Sequence, residues 1–179
     1  MKRLLFLRHA KAVPGGAKLD DHGRALAERG RSDAPKMGRY ISEHRLMPEL
    51  VLCSSSQRTV ETAELLFAEF RKHPEVEYLE LLYLAEPDAI FAMLRQRPDD
   101  AKSLCVIGHN PGLEDCARAL ARDPITRKEK DVLDQIEEKF PTCALAVLDF
   151  NVKRWRASAS CRCPTSARSS IACQAHACR

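Results

Sequence analysis

Short apolar runs recur along this chain at intervals too long for hairpins: Leu4-Leu5-Phe6-Leu7, Leu50-Val51-Leu52-Cys53, Ser103-Leu104-Cys105-Val106-Ile107, and Ala144 to Phe150. A buried strand reads this way, apolar on both faces and bounded by turn or polar residues. Val76-Glu77-Tyr78-Leu79 is a further strand candidate. The segments between the runs carry helical periods instead. Leu26, Gly30, Ala34, Met37 and Ile41 place one face inward, with Pro35 interrupting them. Either that helix starts with Ser32 as its cap, or a longer one is kinked at Pro35. Val60, Ala63, Phe67 and Phe70 form a second inward stripe after the capping serines 54–56. Pro87 opens a third helix with Ile90, Phe91 and Leu94 inward. Pro111 is placed at the first position of a fourth, which continues through Leu113, Cys116 and Leu120. Alternation of this kind implies an α/β fold of three layers, α/β/α, around a mostly parallel central sheet covered on both faces.

At 179 residues the chain fits one ordinary domain. Its longest apolar runs fall far short of the roughly 20 residues of a membrane span, and the run after Lys2-Arg3 is too short for a secretory signal. The expectation is a cytoplasmic protein that engages no membrane. The formal charge is +4, but the last acidic residue is Asp149. Six of the 29 basic residues follow it, which leaves 23 against 25 acidic ones and a net of −2 before position 150. A nearly neutral body offers no electrostatic footprint for nucleic acid, and none is expected as a partner.

Cys53, Cys105, Cys116 and Cys143 read as reduced core residues. Four more, Cys161, Cys163, Cys173 and Cys178, crowd the last nineteen positions. A zinc site from the first three with His176 matches no common finger spacing. No metal and no cofactor are expected. From Trp155 onward the chain is Ala, Ser, Cys and Arg, with Ile171 its only large aliphatic residue. Residues 1–155 are therefore read as the domain, and 156–179 as an atypical tail, disordered or translated out of frame.

Three of the strand ends carry chemistry. The first delivers Arg8 and His9, the second is followed by Arg58 in the first turn of a helix, and the fourth gives way to His109. In an open α/β sheet, ligands bind outside the carboxyl ends of the strands. Two guanidiniums and two imidazoles around one pocket are costly unless an anion neutralises them. A phosphoryl group fits, because its charge is spread over three oxygens that such donors clamp. One histidine can attack phosphorus in line while the other donates to the oxygens.

These residues carry a resemblance. Leu7-Arg8-His9-Ala10-Lys11 resembles the RHG signature of the histidine phosphatase superfamily, with alanine in place of glycine. Ser54 to Ala63 resembles that family's SPxxRAxQTA element, with Ser55 where proline is usual and Glu61 where glutamine is usual. Gly108-His109-Asn110-Pro111 matches its second histidine motif. The short chain, together with Arg24, Leu26 and Gly30 between Asp21 and Pro35, resembles the SixA-type phosphohistidine phosphatases. The resemblance covers residues 1 to about 155 and implies a phosphoglycerate mutase-like fold.

It further implies that His9 is the nucleophile that becomes phosphohistidine, and that Arg8, Arg58 and His109 bind the phosphoryl oxygens without a metal. Members of the wider family carry a carboxylic acid for the leaving group, and Glu80, three residues before Tyr83, is the candidate for it, with Glu86 and Asp20 as fallbacks. The activity implied is hydrolysis of phosphohistidine in a protein. Hydrolysis of small phosphomonoesters and a non-catalytic phosphate-binding module are the alternatives. Neither the oligomeric state nor the partner's identity follows from these residues.

Overall fold

A computed structural model describes residues 1–16, 20–121, 127–158 and 169–174. In chain order its elements are β1 (Lys2–Arg8), α1 (Glu28–Glu43), β2 (Leu50–Ser54), α2 (Gln57–Phe67), β3 (Glu75–Leu79), a 3-10 turn at Glu80–Leu82 and α3 (Pro87–Arg95). There follow β4 (Ser103–Gly108), α4 (Gly112–Leu120), α5 (Arg127–Glu138), β5 (Leu145–Phe150), the short α6 (Trp155–Ser158) and β6 (Ser169–Gln174).

The strands form one sheet in the order β3-β2-β4-β1-β5-β6. The first three pairings are parallel, while β5 runs antiparallel to β1 and β6 antiparallel to β5. The apolar runs are continuous because both faces are covered. Leu4, Phe6, Leu52 and Val106 pack with Ile90, Phe91 and Leu94 of α3, Leu113 and Cys116 of α4, and Ile136 of α5. Leu5, Leu7, Val51 and Ile107 pack on the other face with Ala34, Met37 and Ile41 of α1 and Ala63, Leu66 and Phe67 of α2. The three-layer α/β/α expectation holds. Truncating a fully buried residue such as Phe6 to alanine would cost about 3–5 kcal/mol.

Several local expectations are refined. α1 begins at Glu28 and carries Pro35 inside it, which decides between the two readings of that segment. Pro111 stands at the cap of α4, one residue before the first helical position, and the Asn110–Pro111 peptide is cis. α5 has no counterpart in the sequence reading. Its sequence is mostly charged, and Val132 and Ile136, one turn apart, are its buried apolar residues.

Beyond Trp155 the sequence reading finds no strand, whereas Ser169–Gln174 pairs along the whole of β5, from Phe150↔Ser169 to Leu145↔Gln174. A ladder joins backbone N–H and C=O groups and needs no apolar alternation in the added strand, so the segment's composition gave no sign of it. The remaining tail, including Cys161, Cys163, His176 and Cys178, lies outside the described residues. Among the described residues, no helix is long and apolar enough to cross a membrane.

Candidate active site

The sheet brings the sequence-derived residues together through strand register. Arg8 pairs with Gly108 across β1 and β4, so His9 and His109 follow neighbouring strand ends. The His9 N–H donates to the Gly108 carbonyl at 3.1 Å, which continues the ladder one step into the loop. Arg58 enters from the first turn of α2, where unpaired backbone donors favour an anion. A cavity of about 420 Å³ opens here, lined by Arg8, His9, Lys11, Asp21, Arg24, Arg58, Leu84, His109 and Asn110 among others.

His9 is 8% exposed, and its Nδ1 lies 2.7 Å from the Ala10 carbonyl oxygen. A carbonyl only accepts, so Nδ1 carries the proton and Nε2 keeps a lone pair. Burial, against the raising effect of the Ala10 bond, lowers the pKa of His9 to about 4, and the Arg58 and Arg8 charges lower it further. The ring is therefore neutral at pH 7.

His109 is 4% exposed and takes the opposite tautomer. Its Nδ1 faces the Arg58 Nη2 donor at 3.4 Å, so Nε2 holds the proton and donates to Ser54 Oγ at 2.9 Å. Burial is the main cause that brings its pKa down to about 3, aided by His9 and Arg58.

The Arg58 guanidinium, 3% exposed, turns toward one residue. Its Nη1 donates to the Asp21 main-chain oxygen at 2.5 Å and its Nη2 to Asp21 Oδ2 at 3.1 Å. Asp21 also accepts from the Tyr83 hydroxyl on Oδ2 and from Arg24 Nη1 on Oδ1, both at 2.6 Å. These donors, Tyr83 first and Arg24 next, hold the carboxyl far below the usual carboxylate range. Arg8 donates through Nη1 to the Phe140 carbonyl at 2.7 Å, while its buried Nε has no partner among the described residues.

Arg8, His9, Arg58 and His109 all line the cavity. The three carboxylates considered as acids do not. Glu80 is exposed and accepts from the Ser55 hydroxyl, with His22 Nε2 at 3.5 Å. Asp20 is exposed and accepts from the His22 N–H at 3.3 Å, and Glu86 is exposed at the N-cap position of α3. Sequence reasoning assigned no site role to Asp21, Tyr83 or Ser54. Asp21 had one legible signal, its place three residues before Arg24 in a turn.

No family model matches the sequence. An uncharacterised protein of Mycobacterium tuberculosis is 34% identical over 143 residues, covering 79% of this chain and 85% of the relative. Among solved structures, a candidate phosphohistidine phosphatase SixA from Agrobacterium tumefaciens is 28% identical with a TM-score of 0.73, covering 83% of this chain and 91% of its own. A candidate phosphohistidine phosphatase SixA from Nakamurella multipartitia is 25% identical with a TM-score of 0.78, covering 97% and 95%.

Proposed function

Because this chain belongs to the histidine phosphatase superfamily and is similar to its SixA-type members, we propose that it is a phosphatase acting through a phosphohistidine on His9, with phosphohistidine in a protein as its substrate. The observation that carries this reading is the His9 tautomer. With Nδ1 bound to the Ala10 carbonyl, the nucleophilic lone pair sits on Nε2 of a neutral ring in a cation-lined cavity.

In the first step His9 Nε2 forms a bond to phosphorus as the substrate's P–N bond breaks. The departing imidazole takes its proton from solvent or already carries it. In the second step water attacks phosphorus, the His9–phosphorus bond breaks, and inorganic phosphate leaves with His9 neutral again. Arg8 and Arg58 balance the oxygens' charge throughout. The phosphoryl charge favours a protonated His109, which then donates from Nδ1. The cationic lining disfavours a metal ion, and the steps need none.

A phosphoramidate suits this cavity better than an alkyl phosphate, whose alkoxide needs a proton as it leaves. Among the described lining residues the carboxylate is Asp21, and its three donors keep it ionised. We place the protein in the cytoplasm, where the buried thiols Cys53 and Cys105 stay reduced.

The test is acid-quench trapping with a radiolabelled phosphoryl donor. An acid-labile, base-stable label in the native chain that vanishes in folded His9→Ala is the expected result. Full phosphatase activity in His9→Ala would overturn the mechanism. A panel of substrates then separates the classes, since small phosphomonoesters hydrolysed far faster than phosphohistidine would move the assignment to them.

A further inference from the structure

The cavity is lined by three charged residues that the proposed reaction does not use, Lys11, Asp21 and Arg24, and Asp21 bonds to Arg58, which the reaction does use. Both terminal nitrogens of Arg58 bond to Asp21, one to its main-chain oxygen and one to Oδ2. The second hydrogen of Nη2 faces His109 Nδ1. A phosphoryl oxygen that bonds to Arg58 through Nη2 must therefore take a hydrogen from Asp21 or from His109.

The geometry of the carboxylate is that of an oxyanion substitute. Oδ2 gathers Arg58 and Tyr83, and Oδ1 gathers Arg24, so two oxygens on one centre are met by two guanidiniums, as two phosphoryl oxygens would be. Asp21 lies in a turn between β1 and α1, its side chain is 47% exposed, and it lines the cavity. It is placed at the boundary of the site and is not locked into the core.

Resting on the phosphatase reading above, we propose that Asp21 is an internal competitor for Arg58: its carboxylate orients Arg58 and Arg24 toward the cavity and yields its bond on Arg58 to the oxygens of the phosphoryl group. Asp21 is thus a positioning residue that acts through the two arginines. Its negative charge opposes the binding of every oxyanion at this site, product phosphate included, and so favours release.

This role has a signature that a purely structural one lacks. Replacing the carboxylate with a neutral group removes a repulsion, so oxyanions bind more tightly. It also frees the guanidiniums from their orienting partner, so the bound substrate reacts more slowly. KM and kcat should fall together.

The experiment is a calorimetric titration of tungstate, a tetrahedral oxyanion, into the native chain, Asp21→Asn, Asp21→Ser, Asp21→Glu and Arg58→Ala, with melting curves run beside it. The two neutral variants are expected to bind tungstate about fivefold more tightly, the scale of one partly exposed charge interaction. Asp21→Glu, which restores the charge, is expected to bind no more tightly than the native chain, and Arg58→Ala to lose most binding. Unchanged or weaker binding in folded Asp21→Asn and Asp21→Ser would overturn the inference and leave the phosphatase reading standing. A native chain that binds no tungstate at all would overturn both.

Discussion

The imidazoles of His9 and His109 face one another with ring centroids 5.2 Å apart and planes inclined by 55°. Both are buried beside guanidiniums, and His9 lowers the tolerance of His109 for a proton. Their tautomers are complementary. His9 spends its proton on a carbonyl and keeps Nε2 bare, whereas His109 spends its proton on Ser54 and keeps Nδ1 bare.

This pair makes stability depend on pH. Burial is the first cause that brings His9 to about 4 and His109 to about 3, while an unfolded chain titrates both near 6.5. Below pH 6.5 the unfolded chain therefore binds more protons than the native one. The stability that the neutral pair contributes is fully present above pH 6.5 and is lost as the pH falls toward 4 and 3. Between pH 6.5 and 5, above the range in which ordinary carboxylates titrate, we expect a loss of roughly 3 kcal/mol. Urea unfolding at a series of pH values checks this. His9→Asn should flatten about half of the slope, and a midpoint that stays constant over this window would refute the assignment.

Ser54 is fully buried and holds the His109 ring through Nε2, with Ser56 Oγ a weaker partner at 3.4 Å. Ser54→Ala leaves a buried N–H with poor compensation, which should cost about 1–3 kcal/mol. The phosphatase rate should drop about tenfold as the ring loses its orientation, a misplacement penalty of modest size. Melting curves and steady-state rates with a phosphohistidine substrate measure the two effects. An unchanged rate would show that His109 is positioned by other contacts.

Glu80 offers a test of the leaving-group chemistry. If the imidazole leaves without help from the protein, Glu80→Gln should change phosphohistidine hydrolysis by less than about threefold, whereas a working general acid contributes about a hundredfold or more. Loss of about a hundredfold would return Glu80 to the acid role and imply a rearrangement that carries it past Ser55 into the cavity.

Gly30 is close to the site without lining it. A Cβ there would lie 2.2 Å from the Lys11 carbonyl oxygen and 2.9 Å from its nitrogen. The same carbonyl accepts the Ala27 N–H at 2.8 Å, so the start of α1 is pressed onto the loop that leaves His9. Gly30→Ala must displace that backbone, at about 1–3 kcal/mol, and should lower kcat/KM with it. Gly16→Ala, where a Cβ meets nothing within 4 Å among the described residues, serves as the control and should melt like the native chain. Equal melting temperatures for the two variants would contradict the steric reading.

What the sequence showed, and what it hid, follows from how each residue is held. Arg8, His9 and His109 were legible because a buried apolar run stops at each of them, and strand ends in this class of sheet share one edge. Arg58 was legible from its place in a first helical turn. The partners of Asp21 were not, since a turn carboxylate finds Tyr83 across 62 positions and Arg58 across 37 only once the layers are packed. α5 escaped because a charged helix with a single buried pair has too little periodicity to read. β6 escaped because its backbone pairs with β5 and its sequence, Ser169 to Gln174, carries no strand-like alternation.

Arg8 and Gly108 pair at the centre of the sheet, between β1 and β4. The spacing of the two histidines is set by the innermost ladder of the sheet, so the site and the core form one cooperative unit. Any opening that parts β1 from β4 parts the two rings in the same event. Amides of both strands should exchange with solvent only at the cost of global unfolding, and activity should vanish along the denaturation curve of the sheet itself, with no loosened species that still turns over.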